Sequence, residues 1–99
     1  MNKENAYQAK LIKRLKVLFP GCIVMKNDSG YIQGIPDLTV LYKDKWAFLE
    51  CKRSEKDRKH PEPNQELYIE KADSMSFGRF IFPENEEEVL SELQRAFGA

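Results

Sequence analysis

No stretch of this 99-residue sequence approaches the roughly 20 consecutive apolar residues that a membrane span needs. The N-terminal run MNKENAYQAK is polar and lacks an apolar segment followed by a small-residue cleavage site, so no signal peptide is expected. The expected location is the cytoplasm, including that of a phage-infected host. Cysteine is scarce. Cys22 and Cys51 are the only two, and neither a CxxC spacing nor a second histidine beside His60 is present. A structural zinc site is therefore not expected, and the thiols are expected to be reduced and packed in the core. The length leaves room for one domain, residues 1–99.

Net charge is also absent: 16 Lys+Arg balance 16 Asp+Glu. The average hides an asymmetry. Residues 1–60 hold 13 basic against 7 acidic residues, a net of +6, and residues 61–99 hold 3 against 9, a net of −6. Such a split points to a polyanion-binding face.

What is present is a clear sequence of elements. Tyr7, Leu11, Leu15 and Leu18, with Ile12, recur at helical spacing and predict a helix over Lys3 to Phe19, ended by Pro20-Gly21. Cys22 to Met25 reads as a short strand, and the polar, glycine-bearing Asn27 to Gly34 as a loop. Leu38 to Tyr42 and Trp46 to Lys52 read as two strands of a tight hairpin turning at Lys43-Asp44-Lys45. Arg53 to Pro63 reads as a charged loop. A second helix is expected over Asn64 to Met75, with Pro63 suiting its first turn and Tyr68, Ile69, Ala72 and Met75 on one face. Arg79 to Phe82 reads as a fourth strand. A last helix carries Val89, Leu90, Leu93 and Phe97, with glutamates in its first turn complementing the helix dipole. The expected class is α/β, in the order αβββαβ with a mixed central sheet and an extra C-terminal helix.

The hairpin carries the chemistry. If Lys43-Asp44 is its two-residue loop, Tyr42 pairs with Lys45, and Asp37 falls opposite Glu50. Directly paired residues have Cβ atoms about 4.5–5.5 Å apart. Two adjacent carboxylates repel unless something positive lies between them. Side chains alternate, so Trp46, Phe48, Glu50 and Lys52 share a face, and Lys52 supplies one charge. A divalent cation would supply more, and oxygen ligands favour Mg²⁺ or Mn²⁺.

The segment Gly34-Ile35-Pro36-Asp37-Leu38, followed by Leu49-Glu50-Cys51-Lys52 and by Asn64-Gln65 at the next helix, resembles the signature of the PD-(D/E)XK nuclease superfamily. Within it the chain is similar to the small stand-alone VRR-NUC-type nucleases, relatives of archaeal Holliday junction resolvases. The resemblance runs from Glu4 to Phe82. It implies a restriction-endonuclease-like core and a Mg²⁺-dependent DNA endonuclease, with Mn²⁺ able to substitute and branched DNA such as a Holliday junction as substrate. Residue by residue, it implies that Asp37 and Glu50 bind metal and that the backbone carbonyl of Cys51 completes the metal edge. Lys52 would orient or activate water or stabilise the phosphorane, and Gln65 would join the catalytic set beside Lys52. Glu4 resembles the first-helix acid of the resolvase-like families and is a further candidate ligand.

Arg53, Lys56, Arg58 and Lys59 leave the catalytic strand on a basic-leaning loop and are the candidate DNA contacts. Lys26 to Gly34 is either a plain loop or a wedge at a branch point, and His60 is expected on the surface. Small size, together with Phe77, Phe80 and Phe82, suggests a homodimer presenting two sites to a two-fold junction. Three competing readings stay open: a nicking or flap-type nuclease within a complex, a non-catalytic DNA-binding module, and a protein-interaction adaptor using the acidic C-terminal helix.

Overall fold

The hairpin forms in the register that a two-residue loop dictates. In the computed structural model, which describes residues 3–99, Tyr42 pairs with Lys45 and Leu38 with Leu49. Lys43 turns the corner with a left-handed φ of 56°. The elements in chain order are α1 (Lys3–Leu18), β1 (Ile23–Lys26), β2 (Leu38–Tyr42), β3 (Lys45–Cys51), α2 (Glu55–Arg58), α3 (Gln65–Met75), β4 (Gly78–Ile81) and α4 (Glu86–Phe97). Strand order is β1-β2-β3-β4; the first three strands are antiparallel and β4 runs parallel to β3. The sheet is therefore mixed. The parallel pair needs a crossover, which α3 supplies.

Alternation along the strands sorts the two sheet faces. Leu38, Val40, Tyr42, Ala47, Leu49, Cys51 and Ile81 point to one face and form a core with Leu11, Leu15 and Phe19 from the α1 segment and Val89, Leu90, Leu93 and Phe97 from α4. Phe19, Tyr42 and Phe97 close its end, with ring centroids 5.3 to 5.8 Å apart. The opposite face carries Phe48, Glu50, Gly78 and Phe80, and α3 lies across its β3–β4 half. Its approach is close: a Cβ on Gly78 would stand 2.5 Å from the Ile69 carbonyl oxygen and 2.9 Å from the Ala72 Cβ.

Several expectations are corrected. The segment after Lys52 is not wholly loop. Ser54 caps the short α2 by accepting the Asp57 N–H at 3.2 Å. Pro63 precedes the cap residue Asn64 and is not in the first turn of α3. The buried face of α3 is Gln65, Ile69 and Ala72, while Met75, one position beyond the stripe that meets the sheet, is 68% exposed. Phe77, Phe80 and Phe82 are all buried within the single chain, so they offer no spare apolar face to a second copy. Both cysteines are free, with Cys51 fully buried. No helix among the described residues is long and apolar enough to cross a membrane.

Candidate metal centre

Four elements meet at one end of β3. The β2–β3 register brings Asp37, just before β2, beside Glu50, near the end of β3. Glu4 comes from the first turn of α1, and Gln65 opens α3. Together they wall a cleft of about 350 Å³, whose rim also includes Lys52, Glu62, Ser29 and Gln33.

The loop before β2 is held in shape. The Asn27 backbone N–H donates to the Asp37 carbonyl at 2.8 Å, and its side-chain amide donates to the Pro36 carbonyl and to Thr39 Oγ1, both at 2.9 Å. These bonds tie the base of the loop and fix where Asp37 emerges. Gly34 seats the loop against the start of α3. It has φ +86°, and a Cβ there would lie 2.6 Å from both the Pro63 carbonyl oxygen and the Asn64 Cβ. Only glycine meets both conditions.

The acids also brace one another. The Asp37 backbone N–H donates to Glu50 Oε1 at 3.2 Å, and Asp37 Oδ2 accepts the Cys51 N–H at 2.9 Å. In extended backbone the N–H and C=O of one residue point to the same side. The Cys51 carbonyl therefore turns toward Asp37, while its thiol faces the core. Gln65 Nε2 donates to Glu50 Oε2 at 3.0 Å, and Gln65 Oε1 accepts from Lys52 Nζ and from the Glu62 N–H, each at 2.8 Å. An ammonium can only donate and a carboxylate oxygen readily accepts, so this orientation of the amide satisfies every partner.

Electrostatics at the cleft are unbalanced. Glu4, Asp37, Glu50 and Glu62 line it, and among the described residues Lys52 is the cationic residue in its lining. Glu50 is 2% exposed. Burial, reinforced by the Asp37 carboxylate, pushes its pKa up to about 9. Glu4 is also raised, first by burial and then by Asp37. Burial raises the Cys51 thiol, which stays protonated. One carboxylate oxygen from each of Glu4, Asp37 and Glu50 lies within 4.8 Å of the others. A set of three hard oxygen donors, two of them reluctant to hold charge unaided, fits a divalent cation.

The structure thus brings together five of the expected residues: Asp37, Glu50, Lys52, Gln65 and Glu4. The basic loop is different. Arg53 is ion-paired with Asp57. Arg58 pairs with Glu66 and lies 3.8 Å over the Phe80 ring. Lys56 and Lys59 are exposed. None of the four lines the acidic cleft. The charge asymmetry is partly consumed by folding, because Arg14 of α1 pairs with Glu86 and Glu87 of α4. Asn27 and Glu62 were not singled out by sequence. Asn27 reads as an ordinary turn residue, and the backbone N–H of Glu62 carries no side-chain signal.

No family model, curated protein or solved structure matches this chain.

Proposed function

We propose that the chain is a Mg²⁺-dependent DNA endonuclease on a restriction-endonuclease-like core, with branched DNA as its substrate. One observation carries the reading: three carboxylates converge within 4.8 Å, beside a lysine that a buried amide holds in place. Asp37, Glu50 and Glu4 would hold the ion, with the Cys51 carbonyl on its edge, and Mn²⁺ would substitute in the same oxygen set. A bound divalent cation supplies Lewis-acid chemistry and makes water acidic enough to attack a phosphodiester.

The chain's own residues do the rest. Asp37 and Glu50 are locked by backbone N–H groups, so their free lone pairs aim into the cleft without reorganisation. Lys52 presents an ammonium where the pentacoordinate phosphate becomes most negative. Gln65 does not reach the reacting atoms in this role. It positions Lys52 and keeps that ammonium from collapsing onto Glu50. A pure DNA-binding module would gain nothing from three converging carboxyl groups facing a phosphate, which is why the catalytic reading is preferred.

The test uses labelled linear, nicked, flap and four-way DNAs incubated with the protein in Mg²⁺ or in EDTA. Cutting confined to Mg²⁺, and fastest on a branched DNA, is expected. Absence of cutting on every DNA in Mg²⁺ and Mn²⁺ would overturn the reading of the isolated chain as an endonuclease.

A further inference from the structure

Beside the acidic cleft lies a second, smaller pocket of about 220 Å³, lined by Asn27, Asp28, Tyr31, Ile32, Ile35 and Phe48. It differs from the cleft in chemistry. Its walls are two aromatic rings and two isoleucines beside Asn27 and Asp28, and no Lys or Arg among the described residues lines it. Ile35 borders both spaces. Phe48 stands two residues before Glu50 on the same face of β3, about 6.5 Å along the strand. That is the scale separating a phosphate from the base of its own nucleotide.

The pocket is built. Phe48 is braced by Trp46, with ring centroids 5.2 Å apart and planes at 66°. The wall that carries Tyr31 is folded by turns in which the Tyr31 and Ile32 N–H groups donate to the Asp28 carbonyl, and the Ile35 N–H donates to that of Ile32. Asn27 ties the base of the same loop. Tyr31 is nonetheless 85% exposed, a large aromatic that the fold itself does not bury. Asp28 Oδ1 accepts the Gly30 N–H at 2.8 Å. Asp28 thus brings a carboxylate, a hydrogen-bond acceptor, to the lining of the pocket.

We propose that this pocket receives an unpaired nucleobase of the strand whose phosphate lies at the acidic cluster. This rests on the nuclease reading and narrows its substrate. A phosphate is excluded from the pocket by Asp28 and by the lack of a cation. A base offers a flat π-face to Phe48 and Tyr31, and an exocyclic amino group to Asp28. A paired base is stacked inside the duplex and reaches such a pocket only by being flipped out, at a cost. DNA with an unpaired nucleotide next to the cut, as at a flap or branch point, needs no flipping.

The test compares cleavage in Mg²⁺ of a fully paired duplex, the same duplex with one unpaired cytosine, and a third with an abasic site at the unpaired position. The wild-type protein should cut the cytosine-bearing DNA about tenfold or more faster than either other DNA, the scale of one base stacked on an aromatic ring. Tyr31→Ala and Phe48→Leu, the second keeping apolar bulk in the pocket, should shrink the cytosine-to-abasic ratio toward one. Equal wild-type rates on cytosine and abasic DNA would overturn the proposal. So would variants that keep the ratio, or that change the sedimentation coefficient and thereby mark the pocket as a contact with a second copy. If the wild type cuts none of the three DNAs and none of the four-shape set, the nuclease reading itself has failed; if it cuts them all alike, only the base pocket has.

Discussion

Gln65 holds Lys52 with its amide oxygen, 2.8 Å from the ammonium, and holds Glu50 with its amide nitrogen at 3.0 Å. One neutral side chain thus stands between the Lys52 ammonium and the Glu50 carboxyl group.

Gln65→Ala should therefore lower the cleavage rate about ten- to one-hundredfold, because the lysine loses its position while the metal ligands remain. It should also cost about 1–3 kcal/mol of stability, since buried partners are left unsatisfied. Metal affinity, read by calorimetry, should change far less than the rate. A rate loss matched by an equal loss of metal affinity would show that Gln65 acts through Glu50 alone.

Metal binding should release a proton. Glu50 is protonated below about pH 9 when no cation is bound, and a metal ligand must give that proton up. Calorimetry at pH 7 in two buffers of different ionisation heat should report close to one proton released per ion. Apparent affinity should rise about tenfold per pH unit until pH 9. A pH-independent affinity between pH 6 and 8 would show that Glu50 is already ionised in the metal-free protein; whether it binds the ion is then read from the affinity lost in Glu50→Gln.

Glu50→Gln should change the stability of the metal-free protein with a definite pH signature. The folded pKa of Glu50 is raised above its unfolded value, so its contribution is fully present below the unfolded pKa of 4.5 and is lost as pH rises toward about 9. The variant has no such loss. In EDTA its stability relative to wild type should rise across that window by up to about 1.4 kcal/mol per pH unit, read by denaturant unfolding. DNA affinity of the two proteins in EDTA should be similar at pH 7, where wild-type Glu50 is already neutral, and should diverge as pH rises. A constant stability difference from pH 5 to 9 would contradict the assignment.

Gly34→Ala should damage the site through the backbone. The left-handed φ and the two 2.6 Å approaches to Pro63 and Asn64 force the loop away from α3, which moves Asp37 and Gln65 apart. A loss of more than about 2 kcal/mol, with cleavage falling in parallel, is expected. Wild-type melting and activity would show that the loop does not set the geometry.

The hairpin and its register were legible because a period of two and a two-residue loop leave little freedom: once Tyr42 faces Lys45, Asp37 must face Glu50. The helix α3 was legible in extent but not in its inward face, since Met75 fits the apolar spacing yet is exposed, and the polar Gln65 is buried. The phenylalanines of the β4 region looked surplus to a short strand because the area α3 and α4 cover is a tertiary property. Arg53 and Arg58 each pair with an acid, Asp57 and Glu66, and these pairings are set by the folding of α2 and α3, which a count of basic residues in the loop does not show. Asn27 and the Glu62 N–H act through backbone groups of distant residues, which no linear spacing encodes.

The central claim is tested most directly by the Mg²⁺-dependent cleavage rate of Asp37→Ala, Glu50→Ala and Lys52→Ala beside wild type, on the same four DNA shapes, with folding of each variant checked by circular dichroism. Wild type should cut in Mg²⁺ and stop in EDTA. Each folded variant should lose cleavage by about a hundredfold or more, the scale on which single groups stabilise a developing charge. A wild-type rate in any one of the three folded variants would contradict the claim that these side chains form the active site.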